Sequence, residues 1–302
     1  MNTSPAAAGD QLPVPALLEW YDRHARDLPW RAPQASPWAV LVSEIMLQQT
    51  PVNRVLPVYE SWLRRWPTPA ALAAETSGEA IREWGRLGYP RRALRLHACA
   101  CALVERHSGE VPEDVDALEA LPGIGTYTAR AVAAFAYRQR VPVIDTNVRR
   151  VLARMFDGVA DSPANVTKFD LDRALSLLPS QPERAARASV SVMELGALVC
   201  TARKPRCHDC PVAGQCRWQL AGCPDNAGPV RRPQAFAGTD RQVRGLLMAV
   251  LRDSPAPVPI EHLDVVWPKA AQRARALDGL VADGLVDPLP DGRYALPGSV
   301  SR

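Results

Sequence analysis

The sequence has no apolar run long enough to span a bilayer, and its opening residues, MNTSPAAAGDQLPVP, lack the basic-then-apolar order of an export signal. Both absences argue against a membrane or secreted protein, so the expectation is a soluble, cytoplasmic chain. No alternating apolar–polar strand pattern of any length interrupts residues 14–219, which excludes a β-sandwich or barrel there. A strong charge of one sign is also missing. The 36 Lys and Arg residues face 32 Asp and Glu, and a net charge of +4 gives only a mild hint of an anionic partner. A length of 302 residues allows two or three domains, and 47% hydrophobic with 23% charged residues is ordinary globular composition. Seven cysteines without an export signal point to bound metal or reactive thiols rather than a disulfide scaffold.

What is present is helix after helix. PALLEWYDRHARD, PVYESWLRRW, GEAIREWGRL, RRALRLHACACALVERH, TARAVAAFAY and NVRRVLARMF follow one another with short Pro- and Gly-marked breaks. Residues 223–238, dense in Pro, Gly and Ala, read as a linker. Beyond them come three short helical segments and then LVDPLPDGRYALP, two short runs around an Asp291-Gly292 turn. That order predicts a small winged-helix-like module over residues 239–302. In its last helix Ala270, Ala274, Leu277 and Val281 form the expected apolar stripe.

Cys200, Cys207, Cys210 and Cys216 follow the order C-x6-C-x2-C-x5-C. Four thiols in so short a stretch suit one metal centre, and spacing alone leaves a zinc site and a [4Fe–4S] cluster both open. Cys99 and Cys101 read as core residues of a helix.

Three further stretches carry chemistry. In SPWAVLVSEIMLQQTP (36–51), Glu44 lies between two apolar stripes of one helix, Trp38–Leu41–Val42–Ile45 and Val40–Leu47. It is either the one wet position or a carboxylate buried for a purpose, because Glu is rarely buried otherwise. In LEALPGIGTYTARAVAAFAY, Gly123 and Gly125 join two helices, and the second helix opens with free N–H groups that suit a phosphate. This is a helix-hairpin-helix pattern of sequence-independent DNA binding. Asp145 stands just before TNVRRVLAR, where a helix N-cap and dipole favour its anion; the plain alternative is a cap and nothing more.

SEIMLQQT, LPGIGTYTA, VIDTNVRRVLAR and the four-cysteine run, in this order, resemble the iron–sulfur, helix-hairpin-helix DNA glycosylase superfamily, and within it the MutY-type adenine DNA glycosylase family. The likeness covers roughly residues 14–222. It implies an all-α fold: a six-helix domain with the hairpin (28–138) and an iron–sulfur domain built from 1–27 and 139–222, ahead of the winged-helix-like module read from its own pattern. It implies a [4Fe–4S] cluster on the four cysteines, and a monomer, nucleoid-associated, that acts on double-stranded DNA containing a mispaired adenine. Glu44 would be the general acid and Asp145 the stabiliser of the sugar cation, with Tyr127 and Asn147 as partners near the carboxylates. Trp30 and Arg31 would line the adenine pocket, Gln48 and Gln49 would touch the lesion pair, and Leu87 with Tyr89 would wedge into the vacated stack. At the wedge, Arg86 and Pro90 depart from the family's pattern, and residues 239–302 are too short for the Nudix-like domain that many members carry. Lyase relatives have a lysine where this chain has Tyr127, so a monofunctional enzyme is expected. The rivals are a thymine/uracil mismatch glycosylase, an endonuclease III-like enzyme, and an iron–sulfur DNA-binding regulator that has lost catalysis.

Overall fold

The computed structural model describes residues 11–161, 165–224 and 236–299. Most of the expected linker, 223–238, lies outside them. Helices dominate, and none of those described is long and apolar enough to cross a membrane. Contacts separate two compact units. One comprises the chain through Val40, Glu113–Asp116, and the stretch from Gly125 to the linker; the other comprises Leu41–Pro112, Ala117–Ile124 and the C-terminal module.

In the first unit, helices Val14–His24, Thr146–Leu152 and Pro182–Leu198 share a core of Leu17, Trp20, Val148, Val151, Val192 and Leu195. The last helix packs on both of the others. Its run of Ala185, Ala188, Ser189 and Gly196 keeps side chains small along much of its length, which lets neighbouring backbones come near.

The second unit holds helices Val52–Arg65, Pro69–Ala73, Ser77–Trp84 and Arg91–His107. Three fully buried tryptophans anchor it: Trp62 meets Trp66 and Trp84 edge-on, with ring centroids 4.7 and 5.7 Å away. Such T-shaped pairs place the positive ring edge on the negative face.

The C-terminal module is a winged helix in outline. Helices Asp240–Asp253, Ile260–Asp264 and Ala270–Ala282 are followed by a hairpin pairing Asp287–Pro288 with Tyr294–Ala295, and Val258 bridges to Tyr294 as a third short strand. It is packed on helix Ser77–Trp84. Arg82 donates through Nη1 to the carbonyls of Arg252 and Ser254, the latter at 2.9 Å. The Gly78 N–H donates to the Pro297 carbonyl at 2.8 Å, and a Cβ at position 78 would lie 2.6 Å from that oxygen. Only glycine allows this approach.

The expected apolar stripe of the last helix is out of phase. Ala276, Leu277 and Leu280 are buried, whereas Ala270 and Ala274 are exposed and Val281 is half-buried. The helix turns its larger side chains toward helix Asp240–Asp253, where Val243, Leu247 and Leu251 complete the core. Alanine contributes too little apolar area to hold the other phase.

Candidate functional site

Helix Pro37–Leu47 starts where Ser36 accepts from the Ala39 N–H at 3.2 Å and ends before a turn in which Gln49 takes a left-handed φ of 56°. Glu44 is only 7% exposed, and Val42, Ser43, Ile45 and Met46 around it are buried too. The solvated-charge alternative is therefore excluded.

Arg92 organises the end of this helix. Its guanidinium is buried, and it donates to the carbonyls of Ile45, Met46 and Gln48 (2.9, 3.1 and 2.6 Å), to Thr50 Oγ1 (2.9 Å) and to the Gly88 carbonyl (3.1 Å). With no carboxylate among these partners, burial pulls its pKa down to about 10. One side chain thus fixes Gln48 and the loop at Gly88–Tyr89 to each other. In that loop Tyr89 is 48% exposed at a φ of 51°. Leu87, expected to insert into DNA beside it, is 3% exposed and serves the core. Its apolar character answers to packing, and of these two residues Tyr89 is the one that projects.

The two hairpin glycines do different work. Gly123 has a φ of +79°, and a Cβ there would lie 2.7 Å from that of Arg95. Gly125 has ordinary extended backbone ahead of helix Thr126–Phe135, with nothing within 4 Å of where a Cβ would stand. That open approach is what a phosphate at a helix N-terminus requires. Tyr127, on this helix, packs with Ala131, Ala134 and Val143.

Asp145 caps helix Thr146–Leu152, accepting from the Val148 N–H at 2.7 Å and from Asn147 Nδ2 at 2.8 Å. The cap is as expected, yet the balance of its ionisation is not. Burial outweighs those hydrogen bonds and the nearby Arg150, so the Asp145 pKa is raised rather than lowered. From Asn147 a chain of hydrogen bonds continues: Arg150 donates to Asn147 Oδ1 (2.8 Å), to the Gly196 carbonyl (2.7 Å) and to the Cys200 carbonyl (2.7 Å).

Trp30 and Arg31 sit in the short turn Pro29–Arg31. Trp30 is buried, and Arg31 donates to Glu194 Oε2 at 2.8 Å. Glu194 is 0% exposed and also receives Arg26 through its backbone N–H, Nε and Nη2 at 3.0, 2.8 and 2.7 Å. These donors hold its pKa down at about 2 against the burial that opposes them. Sequence reasoning passed over Glu194, although SVMELGAL carries the same signal as Glu44: one acid in an apolar, small-residue helix.

The four cysteines occupy a tight run. Cys200 follows helix Pro182–Leu198, Cys207 opens the turn Cys207–Asp209, and Cys216 caps helix Arg217–Leu220. Arg154 lies 3.3 Å from Cys200 Sγ, takes a contact of 3.5 Å from Cys216 Sγ on its carbonyl, and stacks over Trp218 at 4.5 Å. The Cys210 thiol, pushed up to about 11 mainly by burial, also feels Cys200, Cys216 and Cys207 as like charges, so the four thiols share one neighbourhood. Yet among the described residues no group of three His, Cys, Asp or Glu closes on a single metal ion. Four thiols in one neighbourhood are the donor set that a zinc ion or an iron–sulfur cluster takes.

Comparison with known proteins agrees. Residues 42–175 match the HhH-GPD superfamily base excision DNA repair protein family, and residues 200–216 match the iron-sulfur binding domain of endonuclease III. The cofactor is accordingly a [4Fe–4S] cluster, and the matched stretch 200–216 contains Cys200, Cys207, Cys210 and Cys216. The adenine DNA glycosylase of Mycobacterium tuberculosis is 57% identical over 283 residues, covering 93% of this chain and 92% of that one. The adenine DNA glycosylase of Mycolicibacterium smegmatis is 58% identical, covering 93% and 95%. A thermostable thymine-DNA glycosylase structure superposes with a TM-score of 0.62 at 26% identity, covering 69% of this chain and 95% of that one. An endonuclease III–DNA complex gives 0.58 at 22%, covering 69% and 94%, a likeness of fold. With relatives this similar along nearly its whole length, the chain belongs to the adenine DNA glycosylase family.

Proposed function

We propose that the protein excises adenine mispaired with 8-oxoguanine or G from duplex DNA, as a monomer, by hydrolysing the N-glycosidic bond. The observation that carries the reading is the buried carboxylate of Glu44 in a helix with no other acid. A purine leaves readily once its ring is protonated, and a carboxyl group at this position can donate that proton at N7. The sugar then develops oxocarbenium character, which an aspartate stabilises as it does in glycoside hydrolysis. Asp145, fixed by Val148 and Asn147, supplies that carboxylate. The target base must leave the stack first, at a cost of a few kcal/mol. Trp30 offers an apolar wall to a flipped base. Arg31, held on Glu194, stands next to Trp30 in the chain. Gln48 and Gln49 lie at the end of the Glu44 helix, as contacts to the lesion pair require.

No lysine stands in the hairpin; Lys168, Lys204 and Lys269 are the chain's lysines. Schiff-base chemistry at the sugar therefore has no nucleophile where lyase relatives keep theirs. Duplexes carrying 8-oxoguanine:A, G:A, G:T and G:U, incubated with and without later alkali, test the reading. Adenine release with strand breaks only after alkali is the expected result. Preferential loss of T or U, or abundant borohydride-trapped enzyme–DNA adduct, overturns it.

A further inference from the structure

A winged helix invites the idea that the C-terminal module reads DNA with its last helix. Its charges argue otherwise. Between Phe236 and Ser299, seven Arg and Lys face eight Asp and Glu, a net charge of −1. Sequence-independent affinity comes from Lys and Arg free to neutralise phosphates. Here Arg273 pairs with Asp264, Arg275 binds both oxygens of Asp240 at 2.9 and 3.0 Å, Arg293 pairs with Asp291, and Asp283 receives Arg244 from within the module and Arg91 from outside it.

Arg241, in the first turn of helix Asp240–Asp253, is different. It is exposed, and its guanidinium carbon lies 5.3 Å from the centroid of the Tyr89 ring. The Arg92 guanidinium carbon lies 5.4 Å from the same centroid. Both arginines rest on fixed ground: Arg92 through its five hydrogen bonds, and Arg241 through a module clamped to helix Ser77–Trp84 by Arg82 and Gly78. An exposed tyrosine on a left-handed backbone position would otherwise sample several rotamers, and ordering it during insertion costs entropy.

We propose that Arg241 is a positioning residue for Tyr89, so that the C-terminal module serves as a brace for the wedge loop and not as a reader of DNA. The assignment rests on the proposed function and on Tyr89 being its wedge, as the family resemblance implies. Arg241 touches no reacting atom; it acts by holding the Tyr89 ring where insertion beside the extruded base requires it.

The test uses full-length protein and a duplex with 2-aminopurine in place of the target adenine, whose fluorescence rises on extrusion. R241A is expected to slow extrusion about two- to five-fold, the range of an exposed cation–π contact. R241K is expected to restore part of that loss. Y89A is expected to slow extrusion at least as much, and the double variant to be no slower than Y89A, because both remove one interaction. The salt dependence of binding is expected to stay as in the wild type. Y89A slow with R241A at the wild-type rate overturns the brace while leaving the wedge in place. Additive losses, or a salt slope reduced by about one in R241A, show that Arg241 contacts phosphate instead. Y89A at the wild-type rate overturns the wedge itself, and the brace with it.

Discussion

Two carboxylates of the first unit are both withdrawn from water, and their ionisation has moved in opposite directions. Glu194 accepts charged donors from Arg26 and Arg31 and is held at a pKa of about 2. Asp145 accepts uncharged donors, the backbone N–H groups of Val148 and Asn147 and the Asn147 amide, and burial raises its pKa. The desolvation penalty is common to both. What differs is whether a formal positive charge touches the oxygens, since charge-assisted hydrogen bonds are roughly twice as strong as neutral ones. Glu194 is thereby committed as a permanent anion, a fixed post for Arg31. Asp145 has an anion that is costly to hold, and the proposed mechanism uses that cost, because a cation forming beside the anion relieves it.

The largest effects that would break this contrast are catalytic. Asp145→Asn is expected to lower the single-turnover rate of adenine release by a factor on the order of 10²–10³, the scale for removing one aligned electrostatic stabiliser. Glu44→Gln is expected to cost about 10²–10⁴, with duplex affinity nearly unchanged, because it removes the proton and keeps the shape. Quench-flow on an 8-oxoguanine:A duplex measures both. A Glu44→Gln enzyme that retains most of its rate would remove the acid from the mechanism.

Glu194 should instead show its value in stability. Glu194→Gln leaves Arg26 and Arg31 without their anion, and breaking a buried ion pair costs about 3–5 kcal/mol. Because Arg26 is a third exposed, the lower end is expected. The sign with pH follows from the depressed pKa. The contribution is whole above the ordinary carboxyl value of 4.5 and is lost as pH falls toward about 2. Urea titrations at pH 7 and pH 4 should therefore show the gap between wild type and Glu194→Gln narrowing in acid. A constant gap would mean that the triad contributes packing rather than charge.

Much of this was legible in the residues, and the unread part has a common cause. The Glu44 helix, the Asp145 cap, the cysteine centre and the winged-helix outline all rest on local signals: a cap, a period, a spacing, a turn. The misread features depend on what packs against a segment. Leu87 looked like an inserting side chain, and the structure has it in the core. The phase of helix Ala270–Ala282 was set by its neighbour Asp240–Asp253 rather than by its own alanines. Arg92, Arg150 and Arg154 gave no sequence signal as organisers, because an arginine on a helix is ordinarily solvated. Each joins stretches far apart in the chain, as Arg92 does in reaching from position 92 to the carbonyl of Ile45. Long-range hydrogen bonds of that kind have no spacing to read. The Asp145 pKa was misjudged for the same reason: the cap was visible and the burial was not.

The smallest expected effect is the most discriminating. Asp145→Asn leaves a good N-cap, since Asn and Asp cap about equally well. It removes the cost of a buried anion, and at the same time sets an amide opposite Asn147 Nδ2, whose own oxygen is already engaged by Arg150. The lost hydrogen bond is worth about 1 kcal/mol, and at neutral pH it opposes the relief of the buried anion. The pH dependence separates the two. A raised carboxyl pKa means that the folded state binds more protons than the unfolded one as pH rises past 3.8. Wild-type stability is therefore drawn down over that interval, and the Asn variant, having no proton to lose there, is not. Denaturation measured from pH 7 to pH 4.5 should find the variant most favourable relative to wild type at pH 7 and progressively less so in acid. That is the reverse of the direction in which Asp145 would behave if, like Glu194, it were held as a stable anion. A difference that instead grows toward acid would place Asp145 with Glu194 and erase the distinction between them.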